Sequence, residues 1–418
     1  MKFPYRGPLG AVLLGASINV LAPSQVVADP APAYGDLLRQ AETSPRLMAA
    51  QAGIGQAEGL ARQARAWSNP NVSVTVENFG GSGPYRGSAH AETTTSIAQT
   101  LELGGKRDAR IKAGLAGVEV SRAKARQSKV DFAFDLAQAY SDAEAADISL
   151  QLARDALSLA EDDGRVAQAL VTAGKEADLR VVQARSAVEA ARADVDEAQA
   201  VRGSAFARLT AMVDSPMPFT SISESLLAHA DRGEPISPTD PLNSPGYLVA
   251  QAERSEIARR LRVEQTRSAP DVTVSLGVRQ LAGDDSTALV GGVSLPFPVF
   301  DRNRGTISSV QSELLAADQR VNIARLDARA DIQSATAHLQ AAFTRVTSAH
   351  DSEQTAQEAY RLTRVGYEAG KLPLSEVLIA RRTLSEARNQ TLKARQDRLG
   401  AEAELARLRG VAPFGDPS

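Results

Sequence analysis

The stretch Asn69-Pro70-Asn71-Val72-Ser73-Val74-Thr75-Val76 returns 200 residues later as Ala269-Pro270-Asp271-Val272-Thr273-Val274-Ser275-Leu276. Both copies alternate. Val72, Val74 and Val76 oppose Ser73, Thr75 and Glu77, while Val272, Val274, Leu276 and Val278 oppose Thr273, Ser275, Gly277 and Arg279. A period of two makes a strand with one apolar and one polar face. Residues 93–102 repeat the pattern, with Ile97 and Leu101 against Thr94, Ser96 and Thr100. Residues 288–295 do so more weakly, with Leu289, Val293 and Leu295 against Gly292 and Ser294. Polar glycine-rich turns, Gly80-Gly81-Ser82-Gly83 and Gly283-Asp284-Asp285, connect the strands into two β-hairpins, 71–102 and 271–295.

Moving outward from the hairpins, the repetition continues. Ser44-Pro45 is matched by Ser244-Pro245, Ala173-Gly174-Lys175 by Ala369-Gly370-Lys371, and Ala184-Arg185 by Ala380-Arg381. Ordered matches at so long an interval mean a duplicated domain, not a solenoid. The expected units are 29–214 and 244–410, followed by a tail at 411–418. Between the units, 215–243 carries Pro216, Pro218, Pro235, Pro238 and Pro241, and reads as a linker or a small irregular element across the middle of the molecule. Each unit reads as a helix (44–68, 244–268), a hairpin, a long helix (106–173, 305–369), a tight turn and a last helix (176–213, 373–409). In the second long helix, Val310, Leu314, Ala317, Val321, Ala324, Ala328, Ile332, Ala335, Leu339, Ala342 and Val346 recur at the spacing of a nearly straight α-helix. A helix of about 66 residues spans roughly 100 Å at about 1.5 Å per residue. The shorter pair of each unit adds up to nearly the same length and can stack beside it. The expected class is mainly α with a small β part, shaped as a rod or the wall of a tube.

Composition narrows the function. The 418 residues carry 47 Lys and Arg against 50 Asp and Glu, a net charge of −3 that lacks the basic surface a nucleic-acid binder needs. The absence of cysteine removes disulfides, thiolate sites and a lipidated N-terminal Cys. Of the four histidines, no two lie three or four apart, so no helix presents a His pair to a metal. An aromatic content of 4% suits thin Ala-rich helices. No nucleophile–base constellation or cofactor motif stands out. Lys2 and Arg6, the apolar run Leu9 to Leu21 and the small residues of Val26-Val27-Ala28 read as a cleavable export signal, with the mature chain beginning at Asp29.

No later segment is apolar for the length of a membrane-spanning helix, so a membrane form would have to use the strands. Four strands leave open edges, and closing a barrel takes about eight or more. Three chains would supply twelve strands and a tube of twelve helical columns. Trp67, Phe297 and Phe300 flank the strands as candidate interfacial anchors.

The layout resembles the TolC family of outer-membrane efflux channels over nearly the whole mature chain. Gln99-Thr100-Leu101-Glu102-Leu103-Gly104-Gly105-Lys106-Arg107 and Leu295-Pro296-Phe297-Pro298-Val299-Phe300-Asp301-Arg302-Asn303-Arg304-Gly305 are similar to the strand-to-helix junctions of its cobalt-zinc-cadmium branch. The resemblance implies a homotrimer: a 12-stranded outer-membrane β-barrel continuous with a long periplasmic α-helical barrel. It implies docking on a periplasmic adaptor (membrane fusion protein) and, through it, on an inner-membrane RND pump. The chain would be a passive exit duct for divalent heavy-metal cations, with no enzymatic step and no cofactor. It also places the periplasmic tips, and the adaptor contact, at Gly174-Lys175 and Gly370-Lys371. The family's Asp-Val-Leu-Asp-Ala motif corresponds to Glu376-Val377-Leu378-Ile379-Ala380. Glu376 would form an acidic aperture ring, or serve only as a helix N-terminal acid; Ile379 replaces the second acid. Small organic toxicants as cargo, and a soluble periplasmic coiled-coil adaptor, are the alternatives, and the twofold repeat disfavours the adaptor. Glu161-Asp162-Asp163-Gly164 and Asp284-Asp285 read as solvated helix face or loop tip, and His338 and His350 as surface or packing residues.

Overall fold

The computed structural model describes residues 29–232 and 239–414. The expected leader, 1–28, lies outside the described residues.

The first unit opens with β1 (Asp29–Ala31) and α1 (Tyr34–Gln40), followed by α2 (Pro45–Ala64), β2 (Asn71–Glu77), β3 (Glu92–Leu101), α3 (Lys106–Thr172) and α4 (Leu179–Met212). A short strand, β4 (Phe219–Ile222), leads to the second unit: α5 (Pro245–Arg267), β5 (Val272–Leu281), β6 (Ser286–Ser294), α6 (Arg304–Glu368) and α7 (Leu374–Arg409). Proline at the first helical position accounts for the paired starts of α2 and α5, because its missing N–H would have no partner there anyway.

The helices form a wall four columns wide. α2 lies along the first part of α3, with Arg122 within 3.3 Å of Glu58, and α4 lies along the rest, where Arg192 meets Glu161 at 3.5 Å. α5 and α7 divide α6 in the same way: Arg254 bonds Asp318 at 2.8 Å, and Arg345 bonds Asp397 at 3.4 Å. α3 also packs on α5 and α7, so the order across the wall is α2/α4, α3, α5/α7, α6. The eleven-residue stripe read on α6 is buried or half-buried throughout.

β2, β3, β5 and β6 form one antiparallel sheet in that order, leaving β2 and β6 as free edges. The register aligns the apolar residues in rows. Val72, Ile97 and Leu276 are cross-strand neighbours, as are Val278 and Leu289, and Val274 and Val293. This face is bare: Val72, Val74, Leu276, Leu289 and Val293 are all exposed. The other face carries Ser73, Ser96, Thr94, Thr100 and Thr273, with Ser73 and Ser96 hydroxyls 2.9 Å apart.

A strap at mid-height was not anticipated in detail by the sequence. β1 pairs in parallel with β4, and α1 and a 3-10 turn at Leu227–Asp231 pack on the helices. Tyr34, Leu37, Phe132, Leu136, Tyr140, Leu209, Phe219 and Leu227 make its core. Two buried charges fasten the turn. Glu144 of α3 accepts from Leu226 and Leu227 N–H at 2.8 and 3.0 Å and from the Ser225 hydroxyl. Arg398 of α7 donates to the Ala230 and Arg232 carbonyls at the turn's other end. Acid at the N-terminus and base at the C-terminus complement the turn's dipole.

Candidate functional site

Three regions carry the residues that the sequence singled out: the sheet, its junctions with the helices, and the two helix turns at the far end.

The first junction explains its unusual sequence. Gly104 and Gly105 both adopt left-handed backbone (φ 68° and 78°), and a Cβ on Gly104 would come within 2.6 Å of the Ala269 Cβ. Arg110 donates to the Ala64 and Ala66 carbonyls at the end of α2, each at 3.0 Å, and also grips Glu102. Lys106 pairs with Asp271 of the second unit at 2.8 Å, so the junction also joins the repeats. Trp67 is 64% exposed, with the Arg107 guanidinium 4.6 Å above its ring. At the second junction, Phe297 and Phe300 are 82% and 99% exposed. All three candidate anchors thus sit at the ends of the sheet with apolar surface uncovered.

The two tight turns are near-copies. Gly174 and Gly370 both have φ 71°, and the next residue's N–H reaches back to Leu170 or Gly366 at 2.9 Å. This is the Schellman end of a helix, which favours glycine because a Cβ strains left-handed backbone. A Cβ on either glycine would meet nothing within 4 Å, so the requirement is conformational and not steric. Lys175 and Lys371 are exposed. Both turns share one hydrophobic cluster, including Ala167, Ala184, Tyr360, Tyr367, Leu374 and Val377, which places them at the same end of the wall. Glu376 lies in the first turn of α7, exposed, with Ile379 exposed three residues on.

The acidic stretch near the first turn corrects the sequence reading. Asp163 is not a solvated face residue: its side chain is 3% exposed. It accepts from the Tyr360 hydroxyl at 3.2 Å and from Arg381 at 3.4 Å, linking α3 to both α6 and α7. Its neighbour Asp162 lies 3.7 Å from Arg364. Burial raises the Asp163 carboxyl above the usual carboxylate range, opposed by the Arg381 charge, and burial pushes Tyr360 up to about 12. One sequence signal was available. Ala160, Asp163 and Ala167 follow helical spacing, and the two alanines are buried. Asp284 and Asp285 are exposed at their turn, as are His338 and His350 on α6. Among the described residues, no group of three His, Asp or Glu could hold a metal ion, and no helix is long and apolar enough to cross a membrane.

A wall of long helices capped by one small four-stranded sheet with a bare apolar face is the architecture that the family comparison has to match. The chain belongs to the outer membrane efflux protein family, whose model matches residues 37–214 and 242–411. This is a family of efflux channels and not of enzymes. The chain is 38% identical over 405 residues to the nickel-cobalt-cadmium resistance protein NccC of Alcaligenes xylosoxydans xylosoxydans, covering 97% of this chain and 92% of that one. It is 39% identical over 323 residues to the nickel and cobalt resistance protein CnrC of Cupriavidus metallidurans, covering 77% of each chain. It is 30% identical over 428 residues to the cobalt-zinc-cadmium resistance protein CzcC of the same organism, covering 95% and 98%. Its fold is shared with crystal structures of CusC (TM-score 0.80, 17% identity, 90% of this chain and 92% of that one) and with VceC of Vibrio cholerae (0.72, 18%, 91% and 96%).

Proposed function

We propose that three copies of this chain close into a duct: a 12-stranded barrel in the outer membrane continuous with a twelve-column α-helical barrel in the periplasm. One observation carries the reading. The sheet has four strands, two free edges and an exposed apolar face, a surface that water disfavours and that lipid would cover. The free edges of β2 and β6 would pair between neighbours, since hydrocarbon does not tolerate unpaired backbone. The outer helical columns also carry exposed apolar side chains suited to a neighbour: Met48, Leu60 and Val182 on one, Leu315, Ile323 and Leu326 on the other. Trp67, Phe297 and Phe300 would lie at the lipid–water boundary.

In this reading the duct performs no chemistry. It passes divalent heavy-metal cations handed over by an inner-membrane RND pump and a periplasmic adaptor, a cargo suggested by the resistance named for NccC, CnrC and CzcC. The adaptor would contact the tips at Gly174-Lys175 and Gly370-Lys371, and three copies of Glu376 would ring the aperture. The unit boundaries expected at 214 and 244 are part of the same proposal, with the strap joining the halves. Deletion of the gene, followed by growth on cobalt, nickel, zinc and cadmium salts and on a drug panel, tests the cargo. Sensitivity to the metals alone supports the reading; sensitivity to drugs alone contradicts it.

A further inference from the structure

Among the residues of the four strands, the polar face carries three charges: Glu77, Glu92 and Arg279. They are not spread along the sheet. They occupy two adjacent cross-strand rows, Thr75–Thr94–Arg279–Ala288 and Glu77–Glu92–Leu281–Ser286, at the end where the hairpins turn. The row at the opposite end, Thr100–Thr273–Ser294, is uncharged.

The arrangement breaks a local rule. Glu77 and Glu92 are direct cross-strand partners, and like charges directly opposite destabilise a sheet. The serine and threonine pairs used elsewhere on this face would avoid that repulsion. Arg279 holds the two acids in place. Its Nη1 donates to Glu92 Oε2 at 2.9 Å, its Nη2 lies 3.5 Å from Glu77 Oε2, and its Nε donates to the Thr94 hydroxyl at 3.0 Å. Asn78 donates to the other Glu92 oxygen at 3.2 Å. Glu92 is therefore fixed through both oxygens, while Glu77 remains half-exposed beside it. One guanidinium against two carboxylates leaves the triad itself with one net negative charge.

We infer that this triad is the charge filter at the outer end of the duct, with Glu77 and Glu92 setting its sign and Arg279 positioning them. The inference rests on the three-chain duct, which brings three triads into one collar. A ring of fixed carboxylates between low-dielectric walls raises the local concentration of cations and excludes anions. Cations, divalent ones most strongly, would leave by this route in preference to anions.

The test is the reversal potential of the full-length channel in planar bilayers under a potassium chloride gradient at low ionic strength, where screening is weak. All variants are made in the Glu376→Gln background, so that the candidate aperture ring contributes nothing. The parent channel prefers potassium. Glu77→Gln, a change at a half-exposed side chain that leaves the Arg279–Glu92 pair intact, shifts the reversal potential away from the potassium limit. Arg279→Gln shifts it toward that limit, because it strips the positive charge and leaves both acids. Conducting channels whose reversal potential is insensitive to both Glu77→Gln and Arg279→Gln overturn the filter alone. Trimers in the membrane that conduct nothing overturn the duct reading, and the filter with it.

Discussion

Asp163→Ala tests how the two helical hairpins are held together at their tips. The carboxylate is almost fully buried and accepts from Tyr360 at 3.2 Å and Arg381 at 3.4 Å. Its loss strands the mostly buried Arg381 charge and deprives the Tyr360 hydroxyl of its acceptor. Removing one partner of a buried pair costs ~3–5 kcal/mol. Both contacts here are long, which lowers the expected cost to ~2–3 kcal/mol. The cost falls on local opening of the tip, since the mid-height core is remote in sequence and packing. At about 1.4 kcal/mol per decade, opening becomes about 30- to 150-fold more frequent. Hydrogen exchange by mass spectrometry on detergent-extracted protein reads this directly in peptides covering 168–180 and 364–376. Asp163→Asn is the control. It keeps the volume and an acceptor for Tyr360; it also leaves Arg381 without its counter-charge, but relief from burying the carboxylate charge offsets that loss, so exchange changes by less than about tenfold. The pH dependence has a definite sign. Because burial raises the Asp163 pKa, the folded tip binds the proton better than the opened one. Tip protection from this group is greatest in acid and declines as pH rises from the ordinary carboxylate value through the raised one. The asparagine variant loses that slope. Alanine and parent proteins exchanging within about threefold of each other, or a slope of opposite sign, would refute the argument.

Other substitutions probe other levels. Glu144→Ala leaves the Leu226 and Leu227 N–H groups without their acceptor inside the strap, at a cost of ~3 kcal/mol; limited proteolysis then cuts near 215–232 sooner than in the parent. Gly174→Val and Gly370→Val place a branched residue in left-handed backbone, which costs ~1–2 kcal/mol or more, although a Cβ at either position meets nothing within 4 Å. Trimers persist on gels while metal resistance is lost; unchanged resistance argues against these turns as the adaptor contact. Glu376→Gln weakens block of the reconstituted pore by divalent cations, and identical block removes Glu376 from the aperture.

The wall and the sheet were legible because their signals are periodic and repeated. The Val72–Val76 alternation found its cross-strand partners in Ile97 and Leu276, and the α6 stripe is buried along its length. The glycine turns were legible because left-handed backbone restricts residue choice. The strap was not. β1 and β4 are three and four residues long, too short to show a period, and their segment is rich in proline. Asp163 was misread because composition places acids in water. Its partner Arg381 lies 218 residues away, a distance no local pattern spans. The Glu77–Glu92–Arg279 triad escaped for a related reason: alternation put Glu77 and Arg279 on polar faces but not beside each other. Only the register, with β3 between β2 and β5, brings them together.

The central claim is that one chain makes a third of a closed duct. Native mass spectrometry of protein extracted from outer membranes in detergent measures this most directly. The account predicts particles of three chains that require detergent to stay in solution. Single chains that remain dispersed in buffer after the detergent is removed would contradict it.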